Sequence, residues 1–238
     1  MSGALRPLRV RYLGRVPYRE AWALQRALVE DRKAGTIEDT LLLLEHDPVV
    51  TLGRDGSRAS LLRDEAALTR LGVELVESDR GGDATVHGPG QVVAYPILDL
   101  RPDRKDVRRY VRDLEQSMID TCADYGLTVG RLDGAPGVWL AEPDRKIGAL
   151  GCRLSRWVTM HGVALNANTD LRLFDLIVPC GLHGKGVTSL AAELGHRVSM
   201  VEVMERLAGH VARRFGRTVV ADAEIGQNGP SLAPAEST

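Results

Sequence analysis

The stretch Asp79-Arg80-Gly81-Gly82-Asp83-Ala84-Thr85-Val86-His87-Gly88-Pro89-Gly90-Gln91, running directly into Val92-Val93-Ala94-Tyr95-Pro96-Ile97-Leu98, decides how the chain is read. Four glycines and a proline in thirteen residues exclude a helix and are too dense for an ordinary strand. Glycine, lacking Cβ, lets the backbone approach another group closely. Arg80 and His87 place a planar donor fork and an imidazole among these glycines. A glycine-rich loop with embedded polar groups, fused to an apolar strand, describes one wall of a ligand cleft; the plainer alternative is a surface turn joining two strands. The loop lacks the Lys-Ser/Thr ending of a Walker A motif, and its glycines do not match the dinucleotide fingerprint. Strand follows it, so a phosphate held by a helix dipole is not implied. The wall is expected to hold something other than a nucleotide.

Outward from this loop, the chain of 238 residues is long enough for one large or two small domains with a substantial core. The formal charge of −1, from 31 basic and 32 acidic residues, gives no global drive toward nucleic acid or membrane. No apolar run approaches the ~20 residues that span a bilayer, and the N-terminus has no signal-peptide core. Three cysteines do not make a disulfide framework, so a reducing cytoplasm is expected.

Leu5 to Leu13 reads as a strand, and Pro17 opens a helix to about Arg32 with Tyr18, Ala21, Leu24 and Leu28 on one face. Thr40 to Glu45 is an apolar strand, Leu61 to Leu71 reads as a helix, and a strand from Val73 to Glu77 enters the glycine loop. Asp106 to Tyr125 is the clearest helix, with Val107, Tyr110, Val111, Leu114, Met118, Cys122 and Tyr125 at three-to-four spacing and Gly126 as the stop. Short strands are expected over Leu127 to Leu132 and Val138 to Ala141. A turn at Glu142 to Arg145 leads into a strand from Lys146 to Leu154, forming a hairpin. Trp157 to Asn166 reads as another strand, and Phe174 to Val178 as a short apolar strand ending in Pro179-Cys180-Gly181. Ser199 and Glu202 form a capping-box pattern for a helix from Met200 to about Phe215. The fold class expected is a single mixed α/β (α+β) domain over residues 1–220, helices covering a largely antiparallel or mixed sheet. Residues 221–238, rich in Ala, Ser and Pro, read as a disordered tail.

Cys122 lies on the apolar stripe of its helix and Cys152 in a strand of mixed character, and both read as packed thiols. Cys180 sits between a proline and a glycine at a chain reversal, where a nucleophile and a merely structural turn are both consistent. A nucleophilic cysteine must ionise, and with a free pKa of about 8.5 it needs a neighbouring cation or base. Lys146, followed by Gly148 and Gly151, and His161 are the two candidates; a solvated lysine and a satisfied core histidine are the alternatives. No metal-ligand spacing occurs. The basic run Arg101, Arg104, Lys105, Arg108, Arg109 and Arg112 reads either as a solvated helix face or as a docking patch for an acidic protein.

Five motifs now stand in order: Glu45-His46-Asp47-Pro48-Val49; Arg80-Gly81-Gly82 through His87-Gly88-Pro89-Gly90-Gln91; Lys146-Ile147-Gly148-Ala149-Leu150-Gly151; His161-Gly162-Val163-Ala164-Leu165-Asn166; and Pro179-Cys180-Gly181. Together they closely resemble the lipoyl(octanoyl) transferases, the lipoate-protein ligase B type. Val86 departs from the aromatic residue frequent in that family, which bears on the fine shape of the acyl site. The resemblance implies a biotin/lipoate ligase-like fold and transfer of an octanoyl group from octanoyl-acyl carrier protein to a lysine of a lipoyl domain. The acceptors implied are the lipoyl domains of 2-oxoacid dehydrogenases and the glycine cleavage H protein, with no nucleic acid, membrane, ATP or metal. By the same resemblance Cys180 is the acyl-thioester nucleophile and Lys146 lowers its pKa. Arg80, Gly81, Gly82, Asp83, Ala84, Thr85, Val86 and His87 would line the acyl site with Ala149, Leu150, Gly151, Gly162, Val163 and Ala164. An ATP-dependent lipoate or biotin ligase, which shares the fold, and a non-catalytic scaffold for acyl carrier or lipoyl domains are the rival readings.

Overall fold

Leu41-Leu42-Leu43-Leu44 loses every side chain from solvent because its strand lies inside a sheet covered on both faces. The computed structural model describes residues 5–102, 105–142, 144–178 and 185–221. In chain order the elements are β1 (Arg6–Arg15), α1 (Tyr18–Ala34), β2 (Asp39–Glu45), β3 (Val49–Leu52), α2 (Glu65–Arg70), β4 (Glu74–Glu77), β5 (Ala84–His87) and β6 (Gln91–Ile97). They continue with α3 (Val107–Ala123), β7 (Gly130–Leu132), β8 (Ala135–Leu140), β9 (Arg145–Ser155), β10 (Val158–Asn166), β11 (Gly186–Val187), α4 (Leu190–Leu194), α5 (Met200–Arg214) and β12 (Arg217–Ala221).

The main sheet runs β12-β1-β2-β6-β10-β9-β8-β7, with β11 added beside β9. It is mixed: β1 lies parallel to β2 and β12, and β11 parallel to β9, while the remaining pairs are antiparallel. Alternation sorts its side chains. Leu41, Leu43, Val92, Ala94, Val163 and Leu165 point toward α3 and α5, whereas Leu42, Leu44, Val93, Tyr95 and Ala164 point toward α1. Each large apolar side chain so buried stabilises the fold by about 1.5–3 kcal/mol relative to exposure. A small second sheet, β4-β3-β5, stands beside this framework and brings the glycine loop onto it. The mixed α/β architecture expected from the sequence is the one observed.

Four local expectations are corrected. The glycine stretch contains a strand, β5, because Ala84–His87 alternates and pairs with Val49–Leu52 despite the glycines around it. The segment read as one helix from Leu61 to Leu71 starts only at Glu65, where the Asp64 carboxylate accepts from the Ala67 N–H at 2.7 Å; a 3-10 turn, Arg58–Ser60, precedes it. The apolar run near Phe174 is not a strand but belongs to a 3-10 helix, Leu171–Leu176, capped by Asp170 on the Arg172 N–H. Ala221, assigned to the tail, ends β12; residues 222–238 lie outside the described residues. The capping pattern at α5 holds, with Ser199 Oγ accepting from the Glu202 N–H at 3.3 Å. Among the described residues no helix is long and apolar enough to cross a membrane.

Candidate active site

The middle of β9 faces the middle of β10 in direct register, Gly151 opposite Gly162, Leu150 opposite Val163 and Ala149 opposite Ala164. Two triplets read separately from the sequence are therefore one surface. Gly81 N–H donates to the Cys152 carbonyl at 3.1 Å, which docks the glycine loop onto this surface and encloses a cleft. A side chain at Gly151 would strike the Gly81 carbonyl at 2.8 Å, and one at Gly162 the Ala94 carbonyl at 2.3 Å. These glycines are required first by the close approach of backbone to backbone.

The cleft is lined by Arg80, Gly82, Asp83, Ala84, Thr85 and His87 from the loop, by Ala149, Leu150, Gly151, Gly162, Val163 and Ala164 from the ladder, and by Lys146. Gly81 and Val86 do not reach it. Val86 faces the opposite way, into the core of the small sheet across from Val50. Tyr18, Tyr95, Pro136, His161 and Phe174 complete the lining. Tyr18 and Tyr95 carry no local signal of this role, since in the sequence each is simply an apolar-face residue of its helix or strand. Cys180 and its neighbours Pro179 and Gly181 lie outside the described residues.

Arg80 spends its fork on the protein. Its guanidinium donates to the Thr51 hydroxyl at 2.9 and 3.0 Å, to the Thr51 carbonyl at 2.6 Å, to the Gly81 carbonyl at 3.0 Å and to the Asp83 carbonyl at 2.7 Å. The backbone of Gly53, Arg54 and Asp55 meets the same loop through three further bonds. The arginine thus acts as a buried clamp that shapes the wall. Glu45, from the first motif, plays a similar part at the far end, accepting from the Gly90 N–H at 2.6 Å. Gly90 adopts φ +82°, and a Cβ there would meet the Asn168 carbonyl at 2.5 Å.

Three histidines gather on this side of the sheet. His46 bridges the Val16 carbonyl and the Tyr95 hydroxyl at 2.7 and 2.8 Å. His87 stacks on Tyr18, whose hydroxyl pairs with Ser78 at 2.8 Å. His161 reaches the Asp79 carboxylate through Nε2 at 2.7 Å, and Asp79 also pairs with Arg153. Burial drives the imidazole pKa values down to about 4 for His46 and about 3 for His87 and His161; for His161 the nearby Arg80 and Arg153 charges add to the effect. Burial therefore favours the uncharged imidazole in all three, for His161 against the pull of the Asp79 carboxylate.

The position of His161 has a topological cause. Val163 pairs with Ala94 and Val158 with Asp99, which sets His161 opposite Pro96, a proline inside a central strand. Pro96 has no N–H to give, and the His161 N–H instead donates to Gln25 Oε1 of α1 at 2.8 Å. His161 adopts φ +58°, which turns its ring from the α3 side, where strict alternation would send it, to the α1 side. Such a conformation costs a non-glycine residue about 1 kcal/mol or more and persists only where the surroundings hold it.

Lys146 sits between Trp139 of β8 and Val187 of β11, with Nζ 4.7 Å from the Trp139 ring. Gly137 leaves room for it, since a Cβ there would lie 3.2 Å from Lys146 Cε. The other two thiols are poor nucleophiles: burial pushes Cys122 up to about 12 and Cys152 up to about 11. Among the described residues no cluster of three or more His, Cys, Asp or Glu could hold a metal ion.

The chain is 52% identical over 216 residues to an octanoyltransferase of Solibacter usitatus, covering 91% of this chain and 96% of that protein. In fold it is similar to a bi-partite lipoate protein ligase of Thermoplasma acidophilum, with a TM-score of 0.69 at 16% identity over 92% of this chain and 87% of the other. It also resembles the biotin protein ligase of Aquifex aeolicus, with a TM-score of 0.55 at 14% identity over 87% of this chain and 70% of the other. The family model for the lipoyl protein ligase A/B catalytic domain matches residues 17–212. The resemblance read from the five motifs is borne out: the chain belongs to the lipoyl protein ligase A/B catalytic domain family.

Proposed function

We propose that this protein is an octanoyltransferase that moves the octanoyl group of octanoyl-acyl carrier protein onto a lysine of a lipoyl domain through a thioester at Cys180. The observation that carries the reading is the convergence of Lys146, the small-residue ladder of β9 and β10 and the clamped glycine loop on one cleft, in a chain half identical to an octanoyltransferase. The acceptors are the lipoyl domains of 2-oxoacid dehydrogenases and the glycine cleavage H protein, and the setting is the cytoplasm.

In the first step the Cys180 thiolate, stabilised by the Lys146 ammonium, attacks the donor thioester; the carrier's sulfur leaves with the C–S electron pair and takes the Lys146 proton, so the carrier departs as a thiol and Lys146 is left as a neutral amine. One thioester replaces another, so no ATP is needed. In the second step the neutral amine of the acceptor lysine forms the C–N bond as the C–S pair returns to Cys180, and amide formation drives the reaction forward. Lys146 as a neutral amine accepts the proton that nitrogen sheds. The apolar ladder packs against the acyl chain.

Intact-mass analysis after mixing with octanoyl-acyl carrier protein and no ATP tests this reading. A single octanoyl adduct is expected, and none in Cys180→Ala. Labelling only with free octanoate and ATP would establish the ligase alternative, and a chain indifferent to Cys180 and Lys146 replacement would establish the scaffold alternative. Lys146→Ala is further expected to raise the pH at which Cys180 alkylates; an unchanged profile would remove its activating role.

A further inference from the structure

His87 lines the cleft, yet its orientation is dictated from outside it. Its Nδ1 lies 2.7 Å from Gln91 Oε1, across the Gly88-Pro89-Gly90 turn. Gln91 Nε2 donates to the Val86 carbonyl at 3.3 Å and to Asn166 Oδ1 at 2.9 Å. Asn166 in turn donates from Nδ2 to the Thr188 carbonyl at 2.9 Å. Two backbone carbonyls, which can only accept, fix the sense of the whole chain. Thr188 O demands the Asn166 amide nitrogen, so Asn166 Oδ1 faces Gln91. Val86 O and Asn166 Oδ1 both demand the Gln91 amide nitrogen, so Oε1 faces the imidazole. The proton of His87 therefore sits on Nδ1, and Nε2 is a bare lone pair.

Nε2 has no partner among the described residues, and it is not one of the buried polar atoms sealed off without one. It opens on the cleft as a hydrogen-bond acceptor. Burial holds the ring neutral, with its pKa at about 3, so Nε2 can accept a hydrogen bond but will not keep a proton taken from an amine. The relay begins on the strand that carries Lys146, because the Thr188 N–H donates to the Lys146 carbonyl at 2.9 Å. The Gln91–Asn166 link is itself a cross-strand pair of β6 and β10.

We propose that Gln91 and Asn166 are positioning residues that hold His87 with Nε2 bare, so that it accepts a hydrogen bond from the amine of the incoming lysine and orients it for attack on the acyl thioester. The inference rests on the transfer reading above. In this step the amine lone pair forms the C–N bond, the C–S pair leaves on sulfur, and the shed proton goes to Lys146; His87 keeps only the hydrogen bond. The octanoyl chain offers no N–H or O–H of its own, whereas the acceptor amine brings N–H groups that this lone pair fits.

Two measurements test it. Long-range 1H–15N correlation of the imidazoles in the uniformly 15N-labelled full chain, with His87→Gln identifying the His87 signals, is expected to show protonated Nδ1 and bare Nε2 at neutral pH. The opposite tautomer would overturn the assignment, and this result needs no substitution at Gln91 or Asn166. The second is half-reaction kinetics of Gln91→Leu and Asn166→Leu. Loss of the relay is expected to slow aminolysis of the isolated octanoyl-enzyme by a lipoyl domain by about tenfold, the scale of one lost hydrogen bond, while its formation from octanoyl-acyl carrier protein changes by less than about twofold. Equal loss in both half-reactions, or loss confined to acylation, would overturn the amine-positioning role. Failure of the unsubstituted protein to form any octanoyl-enzyme would instead remove the transfer reading, and the amine with it, while leaving the tautomer measurement intact.

Discussion

On one face of the main sheet, Leu41, Leu43, Val92 and Val163 meet Leu114, Met118, Leu207 and Val211 of α3 and α5. On the other, Leu42, Leu44 and Val93 begin the same way under α1, but their neighbours are Tyr95, His46, His87, Gln91, Arg80 and His161. The same strands thus support a dry packed layer and a buried polar network. The apolar face holds the strands in register. Its rigidity lets the opposite face keep a left-handed histidine, a proline in a central strand and an arginine committed to carbonyl groups. Stability and chemistry are divided between the two faces, and perturbations should divide the same way.

The largest separation is expected from Leu114→Ala, which empties space beneath α3. It should cost about 2–5 kcal/mol in denaturant unfolding while the molecules that remain folded turn over normally. A specific activity that falls as far as the stability would show that the faces are not separable. Next comes acid. The unfolded chain protonates histidine near 6.5, whereas His46, His87 and His161 resist until about 4, about 3 and about 3. Their burial carries no protonation penalty well above pH 6.5, and stability is lost as the pH falls from 6.5 toward those values, by about 2 kcal/mol per histidine by pH 5. Unfolding curves at pH 7 and pH 5 that coincide would contradict the neutral cluster.

A smaller effect should follow Tyr95→Phe, which leaves His46 Nε2 buried without its partner; a loss of about 1–2 kcal/mol is expected. No loss would mean that the network carries little of this face. The smallest belongs to the exposed basic side of α3, where Arg109 lies 3.9 Å from Asp113. Arg109→Ala should move unfolding by less than about 0.5 kcal/mol, and a larger shift in a thermal melt would give this surface a structural role it lacks in the contrast of faces.

Much of this was legible in the residues, and the limits are physical. The Leu41–Leu44 run, the α3 stripe and the β8–β9 hairpin carry periodicities that tertiary packing reinforced. β5 was hidden because four alternating residues among glycines gain their strand character only by pairing with Val49–Leu52, more than thirty positions earlier. The apolar run Phe174 to Val178 reads as a strand because so short a run has no distinguishing period, while its first three residues end the 3-10 helix Leu171–Leu176. At the site, Arg80 was recognisable as a donor fork, but its partner Thr51 is 29 residues away, so its direction could not be read. The turn of His161 onto the cleft side arises from Pro96, which only the register of β6 against β10 brings opposite it.

The most direct test of the account is a single-turnover chase. The octanoylated protein would be isolated free of carrier and ATP, mixed with a lipoyl domain, and both masses followed. The octanoyl increment is expected to leave this chain and to appear on one lysine of the lipoyl domain at the same rate. An increment that stays in place, or that is released as free octanoate with the lipoyl domain unmodified, would contradict it.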